Sequence, residues 1–290
     1  MLLLFLIFVW GASWPIYKLA LPFTPPVLFA GMRATIGGLL LAIILFNIRD
    51  KLNWHENWRL YCTSALLNTT LFFGIQTVGL NYLPGGLFSI LVYFQPVLLG
   101  LFAWIWLGEF MTPGKILGLV IGFIGIIIVS LDGLTFHVSV FGVILGLLTA
   151  FFWALGVIYV KKVSNQVNPF WMVSMQCIIG GAILIGFGGI FEDFADIVWN
   201  TKYISALMYG SILGIPLAQI VYYKLIREGE ASKVGSSTFM VPIVAVFLGA
   251  VFLDESITYS LIIGLVMVGL SIFIVNYRSK KKLIDYSNNI

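Results

Sequence analysis

Apolar residues run through this chain in blocks of helix length, parted by short clusters of proline, glycine, asparagine and charge. A helix rising 1.5 Å per residue needs about 17–25 mostly apolar residues to cross a hydrocarbon core. By that measure the pattern predicts ten membrane-spanning helices, over 2–19, 27–46, 59–80, 85–107, 114–131, 139–159, 169–190, 203–224, 232–252 and 258–276. The breaks are short, which predicts antiparallel neighbours joined by tight loops. Several starts carry helix-opening chemistry, at Pro25-Pro26, Thr112-Pro113 and Asn168-Pro169. The opening MLLLFLIFVWGAS has no basic residue ahead of its apolar stretch, so it reads as the first span rather than a secretion signal.

Composition narrows the class. Of 290 residues, 60% are hydrophobic and 10% charged, with a mean hydropathy of +1.05, whereas an ordinary soluble domain carries roughly a quarter charged residues. An all-α integral membrane protein is the fold class this predicts, because no polar domain separates the apolar runs and one soluble core could not hold them. Lysine and arginine then set an orientation. With the N-terminus inside, thirteen fall in cytoplasmic loops and tail, among them Arg49, Lys51, Arg59, Lys115, Lys161 and Lys162, against two outside, Lys18 and Lys202. The acidic residues split six and six and take no part. Both termini are expected in the cytoplasm, in a multi-pass protein of the cell membrane whose basic tail, 279–290, lies against anionic lipid. Arg33 is the basic residue left within a span.

The second half of the chain echoes the first. Displaced by 143, Pro26, Met32, Ile36, Gly37 and Gly38 fall on Pro169, Met175, Ile179, Gly180 and Gly181, with Trp10 on Trp153 and Lys18 on Lys161. Displaced by 146, Pro96, Leu107, Glu109, Thr112 and Gly118 fall on Pro242, Leu253, Glu255, Thr258 and Gly264. Two nearly constant displacements predict a tandem duplication, with domains at 1–134 and 138–278. Five spans per copy is an odd number, so the second copy enters the membrane inverted. Inverted repeats recur in secondary transporters, where exchanging the conformations of the halves exchanges the side that is open.

FVWGASWPIYKLAL at the start, FAGMRATIGGLLL in the second span, and QPVLLGLFAWIWLGEFMTPGKILGLVIGFIGIIIV with its echo at 241–275 resemble the two EamA domains of the drug/metabolite transporter superfamily. The resemblance covers nearly the whole chain. It implies an exporter or exchanger of amino acids, other small metabolites or drugs, with a central cavity lined mainly by spans 1, 3, 4, 6, 8 and 9.

Arg33 lies roughly 10 Å below the outer end of its span at 1.5 Å per residue. Insertion of arginine costs about 2.5–3.5 kcal/mol at a helix centre and less nearer an interface. Two readings stand: an interhelical clamp, or a counter-charge for an anionic substrate group or gate. Gln176 occupies the matching place in the second copy, so a neutral hydrogen-bonder suffices in that half. Trp10 and Trp153 sit too deep for an interfacial aromatic belt and are expected to face a cavity, with Ser13 near Trp10. Trp14, Tyr17 and Lys18, nearer the outer end, are expected as belt and snorkelling groups.

Asn68 and Thr69 in the third span, with Gln76 further out, Gln95 in the fourth, Gln219 and Tyr222 in the eighth and Ser236 in the ninth are the deep neutral polar candidates. Each either bonds another helix or faces the cavity, since a bilayer penalises an unsatisfied amide. Pro15, Pro96 and Pro242 remove backbone hydrogen bonds within spans and are candidates for helix breaks or hinges. Glu109 and Glu255 stand at span ends just before the next span and are expected to cap it. Gly114, Gly118, Gly122, Gly125, Gly264 and Gly269 read as close helix packing, within one chain or between two.

Absent chemistry bears on mechanism. No Asp or Glu lies mid-span, where proton-coupled carriers usually keep an ionisable relay. No GxxxxGK[ST] loop offers an ATP site, and Cys62, Cys177, His55 and His137 form no metal or catalytic spacing. The expectation is therefore no enzyme, no cofactor, no metal and no nucleic-acid partner, but a small-molecule substrate, a lipid bilayer and a monomer or homodimer. The predicted function is a secondary transporter of small metabolites, amino acids or related compounds, working by efflux or exchange through alternating access. A multidrug exporter is the alternative within transport. Outside it stands a lipid scramblase or non-transporting membrane scaffold.

Overall fold

The computed structural model describes residues 1–83, 85–131, 139–253, 259–260, 262–264, 266–267, 269–271 and 273–275. Glu255 and the tail 279–290 lie outside the described residues. The first spans are α1 (Leu2–Ala20) and α2 (Pro26–Ile44), followed by α3 (Trp54–Ala65) and α4 (Phe72–Tyr82). Then come α5 (Gly85–Val92), α6 (Gln95–Leu107), α7 (Pro113–Leu131), α8 (Val140–Val163) and α9 (Pro169–Phe191). The last named are α10 (Thr201–Tyr209), α11 (Ala218–Glu228), α12 (Ala231–Ser237) and α13 (Met240–Leu253), and the described residues from 259 to 275 are helical. Six helical segments among the described residues are long and apolar enough to cross a membrane, and three more are apolar but shorter.

Four spans are not single regular helices. The third, α3 to α4, begins at Trp54 rather than 59 and passes through a π-helical stretch, Leu66–Leu71. The eighth, α10 to α11, does the same at Gly210–Leu217. A π turn adds a residue without changing which residues are apolar, so hydropathy does not reveal it. The fourth span breaks into α5 and α6 at Tyr93-Phe94, and the ninth into α12 and α13 at Thr238-Phe239. In each case a proline follows, Pro96 and Pro242, whose missing N–H leaves a carbonyl four residues back without its helical partner. Pro15, by contrast, sits inside an unbroken α1. The paired irregularities keep the displacement read from the sequence: α5 and α12 begin 146 residues apart, and the π stretches begin 144 apart.

Glycines let the two halves approach. α2 lies against α9, and a Cβ at Gly181 would stand 2.7 Å from the Thr35 nitrogen and 2.9 Å from the Gly31 oxygen. One at Gly38 would stand 2.8 Å from the Ile178 nitrogen, and Ser174 Oγ donates to the Gly38 carbonyl at 2.9 Å. Gly118 and Gly122 of α7 lie against Ser271, and Gly118 also against Val275, so these two glycines pack within one chain. α1 packs on α13 through Gly11 against Val244.

The two ends of the bundle differ in chemistry. At one end Lys161 Nζ meets Glu109 at 2.8 Å, and Glu230 receives both Lys115 at 2.5 Å and Lys233 at 2.6 Å. At the other end Glu192 accepts from the Val27 and Leu28 amides at 3.0 and 2.8 Å, at the start of α2. There Lys18 Nζ donates to the carbonyls of Leu80 and Leu83 at 2.5 and 3.3 Å. Free carbonyls at the end of α4 thus take the lysine expected to snorkel.

Candidate functional site

A small cavity of about 40 Å³ lies between α1, α4, α8, α11, the π stretch Gly210–Leu217 and the break at Tyr93. α1 contributes Trp10, Ser13, Trp14 and Tyr17 to its wall; α4 contributes Phe72, Phe73 and Gln76. Trp153 comes from α8, Gly214 from the π stretch, and Gln219, Tyr222 and Tyr223 from α11. Trp10 and Trp153, 143 residues apart, meet edge to face with ring centroids 5.3 Å apart. Trp10 meets Tyr222 at 4.9 Å, and Trp153 meets Phe72 at 5.1 Å and Tyr93 at 5.6 Å. Each such pair contributes about 0.5–1.5 kcal/mol beyond area burial, so the rings form a continuous and rigid wall drawn from both halves.

Trp14 and Tyr17 correct the belt reading. They are 5% and 4% exposed, because this face of α1 turns inward against α5 and the α10–α11 span. Lys18, two positions from Ile16 and next to Tyr17, is held by carbonyls instead of reaching outward.

Two glutamines mark opposite stretches of the wall, Gln76 and Gln219, again 143 residues apart. Each is joined to the residue 43 positions earlier: Gln219 accepts from Gln176 Nε2, and Gln76 accepts from Arg33 Nη2 at 3.5 Å. Around Gln176 the polar groups are well matched. Its oxygen accepts from Ser64 Oγ at 2.5 Å and its nitrogen also donates to the Tyr223 hydroxyl at 3.2 Å.

Arg33 is placed differently. It is fully buried, and Nη2 donates to Thr77 Oγ1 at 2.9 Å. The guanidinium carbon lies 4.1 Å from the Tyr17 ring centroid, 5.2 Å from Phe29 and 5.3 Å from Phe73. Nε and Nη1 have no hydrogen-bond partner, and no carboxylate among the described residues forms an ion pair with it.

Of the other polar candidates, Ser13 lines the cavity and donates to the Val9 carbonyl at 2.9 Å. Gln95 stands just behind, donating to the Tyr222 hydroxyl at 3.4 Å. Asn68 and Thr69 lie in the π stretch away from the wall, Asn68 donating to Ser64 Oγ at 3.2 Å and backing Gly156, and Thr69 lying against Gly180. Ser236 turns back on its own helix, donating to the Lys233 carbonyl at 2.9 Å, and takes no part in the cavity.

Glu109 caps a helix, but not the one that follows it in sequence. It accepts from the Ala231 amide at 2.7 Å, from Ser232 N at 3.3 Å and from Ser232 Oγ at 2.9 Å, at the start of α12 in the other half. Gly108, with φ +66°, turns the chain there and ends α6. Burial alone would raise the Glu109 carboxyl, but the Lys161 and Ser232 hydrogen bonds, the Ala231 amide and the Lys161 charge together hold it below the ordinary range.

Sequence reasoning missed Phe72, Phe73, Tyr93, Gly214 and Tyr223 as wall residues and Thr77 as the partner of Arg33. The signal for the glutamine pair was present, since Gln76 and Gln219 carry the same displacement as Arg33 and Gln176. The aromatic residues carried none, being scattered among many equally apolar neighbours.

The EamA-like transporter family model matches residues 1–131 and 140–277. The chain is 47% identical over 280 residues to a Bacillus subtilis protein described as "Uncharacterized transporter YvbV", covering 97% of this chain and 92% of that one. It is 27% identical to the "Probable amino-acid metabolite efflux pump" of Escherichia coli, covering 97% and 96%. A solved crystal structure superposes with a TM-score of 0.80 at 16% identity, covering 97% and 96%, which establishes likeness of fold.

Proposed function

The chain belongs to the EamA-like transporter family, and from that premise we propose that it carries an amino acid or closely related metabolite through the aromatic cavity by alternating access between two inverted halves. It is a membrane transporter and not an enzyme. The observation that carries the more specific reading is the wall itself. Its rings come from both halves, and Trp10 with Trp153 and Gln76 with Gln219 are each displaced by 143, so a rocking of one half against the other would reshape both ends of the cavity together. The amino-acid efflux pump similar over nearly the full chain supports the solute class.

In this reading the end that gathers Lys115, Lys161 and Lys233 faces the cytoplasm of the cell membrane, in keeping with the excess of lysine and arginine in that set of loops. Export of cationic drugs finds aromatic faces here, but Arg33 behind the wall and the absence of a carboxylate among the lining residues weigh against it.

A thermal-stability panel tests the solute class. Purified protein in nanodiscs is expected to be stabilised by members of an amino-acid and metabolite library, and to lose that response in Trp153→Ala. A library with no stabilising compound, or an unchanged response in the variant, contradicts the reading.

A further inference from the structure

Arg33 has more hydrogen-bond donors than the fold uses. A guanidinium offers five N–H groups in a planar fork suited to bidentate binding of a carboxylate. Here one nitrogen is engaged, by Thr77 and Gln76, while Nε and Nη1 are buried with no partner. Leaving a buried donor unmatched is costly, and more so when it is charged. The same junction in the second half is made by Gln176 with neutral groups that satisfy it on both its oxygen and nitrogen. Joining helices therefore does not require the charge or the surplus donors.

The position adds the second strand of the argument. Tyr17, Phe73 and Gln76 form part of the cavity wall, and the guanidinium touches all three from behind. Of the acidic groups at this end, Glu192 is engaged with the amides that open α2 and Asp193 accepts from the Ala195 amide, while none of Glu192, Asp193 and Asp196 forms an ion pair with Arg33. Resting on the reading of this cavity as a transport route, we infer that Arg33 with Gln76 forms the receptor for a carboxylate of the carried solute. Tyr17 covers it in the present conformation. A carboxylate entering beside Gln76 would accept from the unpartnered Nη1, with Nε on the other edge of the guanidinium as a separate donor, and supply a counter-charge absent among the described residues. The receptor belongs to one half alone, so the solute is held by its carboxylate toward the end where Lys18 meets α4, and by neutral groups near Gln219 toward the other.

Acetate and acetamide are the probes, being close in shape and differing in charge. Wild-type protein in nanodiscs is titrated with each, and with sodium chloride, with sodium sulfate holding the ionic strength. The expected result is a saturable rise in melting temperature with acetate and none with acetamide. Arg33→Gln is expected to fold, since glutamine serves in the matching place, and to bind acetate at least ten-fold more weakly. Arg33→Lys, which keeps the charge but not the fork, is expected to fall between. No acetate response in wild type, an equal response to acetamide, a response to chloride alone, or full acetate binding in Arg33→Gln would each overturn the inference. Solute exchange in vesicles separates this from the broader reading: exchange that persists in Arg33→Gln with unchanged preference for carboxylated over amidated solutes removes the receptor and leaves the transporter. Acetate binding with no exchange of any solute does the reverse.

Discussion

Gly37 and Gly186 are both helical glycines, yet a methyl group would meet very different surroundings at each. A Cβ on Gly37 would collide with the Ser211 carbonyl oxygen, which is backbone in the π stretch, and lie 3.1 Å from the Pro216 ring, whereas nothing stands within 4 Å of one on Gly186. Gly37→Ala is therefore expected to destabilise the protein by about 1–3 kcal/mol through overpacking, while Gly186→Ala leaves the melting temperature unchanged or raised. Equal effects in the two variants would contradict this account of the α2 interface. The glycine pairs at 37–38 and 180–181 stand out in the sequence because they recur at one displacement. Which glycine met backbone and which met nothing was not, because that depends on the helix opposite. Arg33 shows the same limit. Its burial charge could be read from a single letter, but its free donors appear only once Gln76, Thr77 and three rings surround it.

At the scale of elements, the end of the fourth span and the start of the ninth carry the Glu109 contacts. Glu109 follows α6 and holds the start of α12, with Lys161 at the end of α8 joining them and also donating to the Gly229 carbonyl at 2.8 Å. The pair thus staples residues of the two halves at the basic end. The carboxyl is held below its ordinary value, so its contribution is fully present above the ordinary 4.5 and lost as pH falls through the lowered value. Glu109→Gln is expected to lower stability by about 1–3 kcal/mol, the range for hydrogen bonds to charged groups. The gap in melting temperature between wild type and Glu109→Gln should hold constant at neutral pH and close only below 4.5. A gap that closes above it would contradict the assignment. That Glu109 caps a helix followed from its place at a span end. Its partner did not, because sequence order favours the next helix and tertiary packing brings α12 instead.

For the whole molecule, the described residues form about ten helical segments where ten spans are predicted, with boundaries shifted by a few residues and irregularity added at four. Six carry enough length and apolarity by themselves. The third does not, since Trp54–Tyr82 begins with His55, Glu56 and Arg59 and includes Asn57, Asn68 and Gln76. Of those polar residues Gln76 lines the cavity, while Asn68 bonds Ser64 away from its wall. Ion pairs gather at the basic end, and at the opposite end carbonyls and amides take the charges singly. In the proposed cycle of alternating access, a bundle stapled by ion pairs at one end and tied at the other by Lys18 and Glu192 to backbone groups is one conformation.

The most direct test of that cycle is counterflow in proteoliposomes, with vesicles loaded with a pool of amino acids and a trace of labelled amino acid outside. The account predicts transient uphill accumulation of label that needs internal solute, runs without ATP or an imposed proton gradient, and is lost in Trp153→Ala. Label that enters equally in empty vesicles, or fails to enter with any amino acid or metabolite inside, would contradict it.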